Sequence, residues 1–272
     1  MTRIALLQMT SGLDPEVNFG VLADAAIRAG RGGAAMLFTP EMSLLLDRDR
    51  QRAARHVETQ ARSDYVCRLA TLAAKHAIWI ALGSMAVALP GGKWANRSLL
   101  FRPDGAEPLC YDKLHMFDVD LPEGESWRES STFAPGEQVV VADATPVGRL
   151  GFAICYDLRF PALFDALGQR QCDVIAVPAA FTVPTGKAHW HVLLRARAIE
   201  ASAYVVAAAQ VGDHPDGRTT FGHSLMVDPW GEVVLDLGGD GPCLGFAEIE
   251  SDRIAKVRRQ LPSLANRRTL AK

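Results

Sequence analysis

The chain has 272 residues, 49% of them hydrophobic, which suits one large α/β domain with a sizeable core. A formal net charge of −2, with no basic stripe and no like-charge block, speaks against nucleic-acid binding and against a disordered tail. No apolar run reaches the ~20 residues that span a bilayer, and five scattered cysteines without CxxC spacing read as reduced thiols, so a cytoplasmic protein off the membrane is expected.

Residues 3–9 form an expected first strand, too short for the apolar region of a signal peptide. Val17, Val21, Leu22, Ala25 and Ala29 are spaced as a helix that ends at Gly30. A strand at 34–38 runs into Thr39-Pro40-Glu41-Met42. A helix over 62–76 precedes a strand over 78–88, and the turn Pro90-Gly91-Gly92-Lys93 brings 94–101 back beside it. A further strand at 109–111 leads to Lys113. Residues 114–136 read as irregular, and so long a connection is more often functional than structural.

Strands follow at 139–142 and 150–154, then a helix at 161–168 with Pro161 in its first position. The remaining elements are a strand at 173–179, a helix at 188–201 and a strand at 204–209. A hairpin of 221–228 with 232–237 turns at Pro229-Trp230-Gly231, before a strand at 244–249 and a helix at 251–260. The βαβ units call for helices on sheet faces, and the hairpins add antiparallel edges. The expected fold is α/β: two mixed sheets packed together with helices outside, in one domain over 1–272.

Three ionisable residues fall at strand ends: Glu41, Lys113 and Cys155. Strand ends at a sheet's carboxyl edge are where open α/β folds place ligands. A carboxylate near a thiol can take its proton, and an ammonium lowers the thiol pKa and stabilises an oxyanion. The Tyr156 N–H, in the turn after Cys155, is free to point at developing charge. No Ser–His pair is comparably placed, and GxSxG is absent.

Phe38-Thr39-Pro40-Glu41, Tyr111-Asp112-Lys113-Leu114-His115 and Gly151-Phe152-Ala153-Ile154-Cys155-Tyr156 together resemble the glutamate, lysine and cysteine motifs of the nitrilase superfamily, the carbon–nitrogen hydrolases. The resemblance implies a Glu–Lys–Cys triad on a four-layer α-β-β-α sandwich, dimerised or further assembled through its helical layer. It implies a thioester on Cys155 and no metal or organic cofactor. It also implies a second catalytic glutamate between Lys113 and Cys155, assigned to Glu129 with Glu123 and Glu125 as alternatives. The stretch from Phe181 to Glu200, with Gln210 and the 221–231 segment, resembles the branch acting on deaminated glutathione and the adjacent ω-amidases. The partner would then be a small α-keto acid γ-amide, or another small amide or carbamoyl compound. His191 stands where the family often has glutamate.

Tyr156, Arg159, Phe181, Thr182 and His189 are the expected substrate contacts, with Arg159 either clamping a carboxylate or pairing with an acid. His189 and His191, two apart on a helix, point to different sides and make a poor zinc pair. Gly186-Lys187 lacks the upstream glycine of a phosphate loop. Arg195, Arg197 and Glu200 read as a structural ion-pair cluster, the other cysteines as packing residues, and Trp230 as cover for strand ends.

Overall fold

Alternation along the first strand already divides the molecule into layers. In β1 (Thr2–Gln8), Ile4 and Leu6 enter one hydrophobic cluster and Ala5 and Leu7 another, as expected of a strand covered on both faces. The structure, a computed structural model, describes residues 1–120 and 126–268. From β1 the chain passes through α1 (Pro15–Arg31), β2 (Met36–Phe38), a short α2 (Arg50–Ala53), α3 (Asp64–Lys75), β3 (Trp79–Ala88), β4 (Trp94–Phe101) and β5 (Leu109–Asp112). Two short strands follow, β6 (Asp118–Asp120) and β7 (Ser126–Arg128), then β8 (Val141–Thr145), β9 (Gly148–Phe152), α4 (Pro161–Gln169) and β10 (Val174–Ala176). The last part holds α5 (Val183–Ala201), β11 (Tyr204–Ala207), β12 (Val211–Asp213), β13 (Thr219–Phe221), β14 (Leu225–Val227), β15 (Val233–Asp236), β16 (Cys243–Ile249) and α6 (Ser251–Gln260).

Two six-stranded sheets result, in the orders β16-β1-β2-β3-β4-β5 and β15-β14-β11-β10-β9-β8. Each has a parallel centre, β1-β2-β3 in one and β9-β10-β11 in the other, with antiparallel strands on both sides. Ile4, Leu6, Met36 and Phe38 of the first sheet share a cluster with Leu150, Phe152 and Val174 of the second, so the sheets pack face to face. Each such side chain contributes about 1.5–3 kcal/mol through burial. Leu22 and Ala26 of α1 and Leu69 and Ala73 of α3 cover the outer face of the first sheet. Phe164 of α4 and Leu194 and Ala198 of α5 pack into the second sheet's core. The expected arrangement of two mixed sheets flanked by helices is the one adopted.

Several boundaries differ from the sequence expectation, for physical reasons. Helix α5 starts at Val183 rather than 188. Pro184 suits a first helical turn, and Gly186 is there because a Cβ would overlap the Phe221 ring, not because the helix breaks. The expected strand over 173–179 keeps ladder pairing only over β10, and Ala179 forms an isolated bridge to Ala209. The hairpin expected from 221 is divided: Phe221 ends β13, which pairs with β12, and β14 starts at Leu225. Within the stretch read as irregular, β6 pairs with β7. No helix among the described residues is long and apolar enough to cross a membrane.

Candidate active site

Glu41 follows β2 by a Thr-Pro turn that is pressed against β3. At Gly83 a Cβ would overlap the carbonyls of Thr39 and Pro40, so only glycine lets the two chains pass this closely. The Thr39 hydroxyl accepts the Gly83 N–H at 3.0 Å, and Met42 takes a left-handed φ of 53° directly after the glutamate. The carboxylate thus emerges 5% exposed. Its Oε1 accepts from Lys113 Nζ at 3.0 Å and Asn96 Nδ2 at 2.9 Å, and its Oε2 from the Ala180 N–H at 3.0 Å.

Lys113 sits one residue beyond β5 and is held by its backbone: its N–H donates to Asn96 O at 2.9 Å, and its carbonyl accepts from Gly136 N–H at 2.8 Å. Its ammonium, only 2% exposed, also donates to both oxygens of Glu129, at 3.0 and 2.9 Å. Glu129 lies in a short 3₁₀ turn after β7, where the Phe117 N–H donates to its Oε2 at 2.7 Å. Asn96 reaches it as well, at 3.1 Å, and so bridges the two glutamates. Glu123 and Glu125, the alternatives to Glu129, lie outside the described residues.

Cys155 begins a 3₁₀ turn just beyond β9, at a left-handed φ of 48° that costs about 1–2 kcal/mol in a non-glycine residue. Its N–H donates to Pro178 O at 2.9 Å, and Asp157 holds the turn from behind. That fully buried carboxylate accepts Ile154 N–H at 2.9 Å, the Tyr111 hydroxyl at 2.6 Å and the His115 N–H at 3.0 Å, with His115 Nδ1 at 2.7 Å. The cysteine turn and the lysine segment are therefore pinned to one another. The Tyr156 N–H meets no acceptor among the described residues.

At the thiol, burial acts beside the charged neighbours the sequence showed. Burial pushes the Cys155 pKa well above its ordinary value and the Glu41 charge adds to this; Lys113 and the Ala180 N–H pull it down without prevailing. The resting group is a thiol, not a lysine-stabilised thiolate. For Lys113, burial opposes the charge, but the Glu129 and Glu41 carboxylates outweigh it and hold the ammonium protonated well above its usual range.

Glu41, Asn96, Lys113, Glu129 and Cys155 line one cavity of about 510 Å³. Of the expected substrate contacts, Tyr156, Arg159, Phe181 and Thr182 line it too. His189 does not; its Nδ1 lies 3.2 Å from Arg159 Nη1, so it touches the cavity wall from outside. Arg159 meets no carboxylate among the described residues and stacks over Phe181 at 5.4 Å and Tyr156 at 5.9 Å. Arg197 pairs with Glu200 at 2.8 Å as expected and also donates to Leu158 O at 2.9 Å, bracing the cysteine turn. Cys172 is buried, whereas Cys67 and Cys243 are exposed and are not packing residues. Trp230 is 48% exposed.

Sequence reasoning gave no role in the site to Asn96, Asp157 or Gln210, whose side-chain amide donates to the Glu41 carbonyl at 2.9 Å. Asn96 and Gln210 are polar residues in apolar stretches, and that mismatch was the available signal. The opposite wall was also missed: Arg48 and Arg218 lie 5.1 and 5.2 Å from the Trp127 ring, and all three line the cavity.

Residues 3–259 match the family model described as carbon-nitrogen hydrolase. A protein of Yersinia enterocolitica named deaminated glutathione amidase is 40% identical, over 97% of this chain and 92% of its own. The solved structure of the C. elegans NitFhit protein has a TM-score of 0.87 at 36% identity, covering 98% of this chain and 65% of that one. Saccharomyces cerevisiae Nit3, described as a member of branch 10 of the nitrilase superfamily, has a TM-score of 0.85 at 28% identity, covering 96% of this chain and 94% of its own.

Proposed function

We propose, from the premise that this chain belongs to the carbon–nitrogen hydrolase family, that it hydrolyses the γ-amide of deaminated glutathione to 2-oxoglutarate and cysteinylglycine. The observation that carries the chemistry is a single ammonium, Lys113 Nζ, bonded to Glu41 and Glu129 beside Cys155 in one cavity. Glu41 takes the thiol proton as Cys155 Sγ attacks the amide carbonyl. Lys113 and the Tyr156 N–H stabilise the oxyanion. As the tetrahedral species collapses, the C–N bond breaks and Glu41 passes its proton to the departing amine, leaving a thioester. Water then adds to the thioester, losing a proton to Glu41 while Glu129 orients it. The acid leaves and Cys155 recovers its proton.

The substrate reading rests on the names of relatives such as the Yersinia amidase and on the cavity's charge. Deaminated glutathione carries a carboxylate at each end of the scissile amide. Three guanidinium groups without carboxylate partners among the described residues, Arg48, Arg50 and Arg159, line the cavity; Arg50 is engaged with Gly92 O and the Trp94 ring. In this reading Arg159 takes the α-keto acid end, with Phe181 and Thr182 beside it, and Arg48 takes the glycine end across Trp127. The same reading includes a homodimer joined through the helical layer, supported by the exposed Val192 and Ile199 on α5. It also places the enzyme in the cytoplasm, in keeping with five free cysteines.

The test compares kcat/KM for deaminated glutathione and α-ketoglutaramate, with Cys155→Ala as blank. Preference for the former, lost in the variant, supports the proposal. Preference for α-ketoglutaramate moves the assignment to an ω-amidase, and activity on neither removes the substrate class.

A further inference from the structure

Helix α5 presents two different chemistries on adjacent residues. Trp190 is fully buried, which fixes the helix about its axis and turns His191 toward the β14–β15 hairpin. There His191 Nε2 lies 2.8 Å from Asp236 Oδ2, and His223 Nδ1 lies 3.0 and 3.1 Å from the two oxygens of the same carboxylate. One donor atom from each of the three falls within 4.8 Å of the others. Each is held from behind. His223 adopts a left-handed φ of 54°, donates its N–H to Gly238 O at 2.8 Å and stacks on Phe221 at 4.3 Å. Asp236 Oδ1 accepts the Gly238 N–H at 2.9 Å.

We propose that His191, His223 and Asp236 form a binding site for a divalent first-row transition ion such as Zn²⁺, separate from the amide-hydrolysing cavity. Two imidazole nitrogens and one carboxylate oxygen are a donor set these ions favour. Metal–ligand bonds of ~2.0–2.2 Å place neighbouring donors ~3 Å apart, close to the His–Asp spacings already present, so binding needs only small side-chain movements. The ion takes the place of the ring proton now directed at Asp236: a neutral imidazole picks up a proton from solvent on its other nitrogen as it gives this one up, so each ligand stays a neutral imidazole and no net proton is released. All three side chains are partly exposed, at 37%, 26% and 30%, so an ion can enter and keep water in its remaining positions. The ion would clip α5 to the hairpin. It would also steady the His223 carbonyl, which accepts the Trp190 indole N–H at 2.8 Å, and Trp190 packs on the cavity residue Phe181 at 4.7 Å.

The test is titration of chelator-stripped, full-length protein with Co²⁺, with Zn²⁺-dependent thermal stability as a second readout. One equivalent should bind with visible d–d absorption and no thiolate charge-transfer band, and Zn²⁺ should raise Tm. His191→Gln and Asp236→Asn should each weaken binding at least ~10-fold while keeping the metal-free Tm near that of the parent. Absence of binding would leave a hydrogen-bonded His–Asp–His cluster only and overturn the proposal. So would a thiolate band, or unchanged affinity in His191→Gln.

Discussion

Lys113 donates to both carboxylate oxygens of Glu129, at 3.0 and 2.9 Å, while the Phe117 backbone N–H donates to one of those oxygens at 2.7 Å. The second glutamate thus has every oxygen committed to a donor. Glu129→Gln would turn an NH₂ group toward either Lys113 or the Phe117 N–H, and neither can accept. The expected result is a kcat lower by about 10²-fold with a folded protein and a KM that falls with it, as slower thioester hydrolysis lets the acyl-enzyme build up. Steady-state kinetics beside circular dichroism measure this; kcat within twofold of the parent would remove Glu129 from the mechanism.

The raised Cys155 pKa separates two roles for Glu41. Its charge helps to hold the thiol protonated. Were that its whole effect, Glu41→Gln would lower the thiol pKa and speed alkylation by iodoacetamide at neutral pH. If Glu41 is the base, the same variant slows alkylation, by about 10²-fold, and its rate recovers only as pH rises into the thiol's own titration. The pH profile of alkylation in parent and variant distinguishes them by sign.

Asp157 is a stability prediction. Two of its four contacts come from backbone N–H groups of Ile154 and His115, which cannot reverse their role as donors. Asp157→Asn must set an NH₂ against one of them. A loss of about 2–3 kcal/mol is expected, read from denaturant midpoints, along with a lower kcat as the cysteine and lysine segments separate. Unchanged stability would mean that the buried carboxylate does not join the two segments.

Arg48 makes a substrate-specific prediction. Arg48→Ala should raise KM for deaminated glutathione roughly tenfold, equal to ~1.4 kcal/mol, and leave α-ketoglutaramate within twofold, since that amide releases ammonia. An equal effect on both would place Arg48 outside leaving-group recognition.

Much of this site was legible because its chemistry lies at strand ends. Glu41, Lys113 and Cys155 each terminate a recognisable apolar run, and the cavity brings all three together. Asn96 and Gln210 were not legible, because their partners lie 55 and 169 residues away in the chain and no spacing rule joins them. The net direction of the Cys155 shift was not legible for a related reason. The neighbouring ammonium is visible in the residue types, but the burial that overrides it exists only once the sheets pack. Gly186 shows the same limit locally: its contact with the Phe221 ring exists only in the folded chain.

The most direct test of the account is to quench the enzyme during turnover of deaminated glutathione and map its peptides by mass spectrometry. The account predicts a 2-oxoglutaryl thioester on Cys155 that accumulates in Glu129→Gln and is absent from Cys155→Ala, which should be inactive. Turnover by Cys155→Ala, or an acyl group found on any other residue, would contradict it.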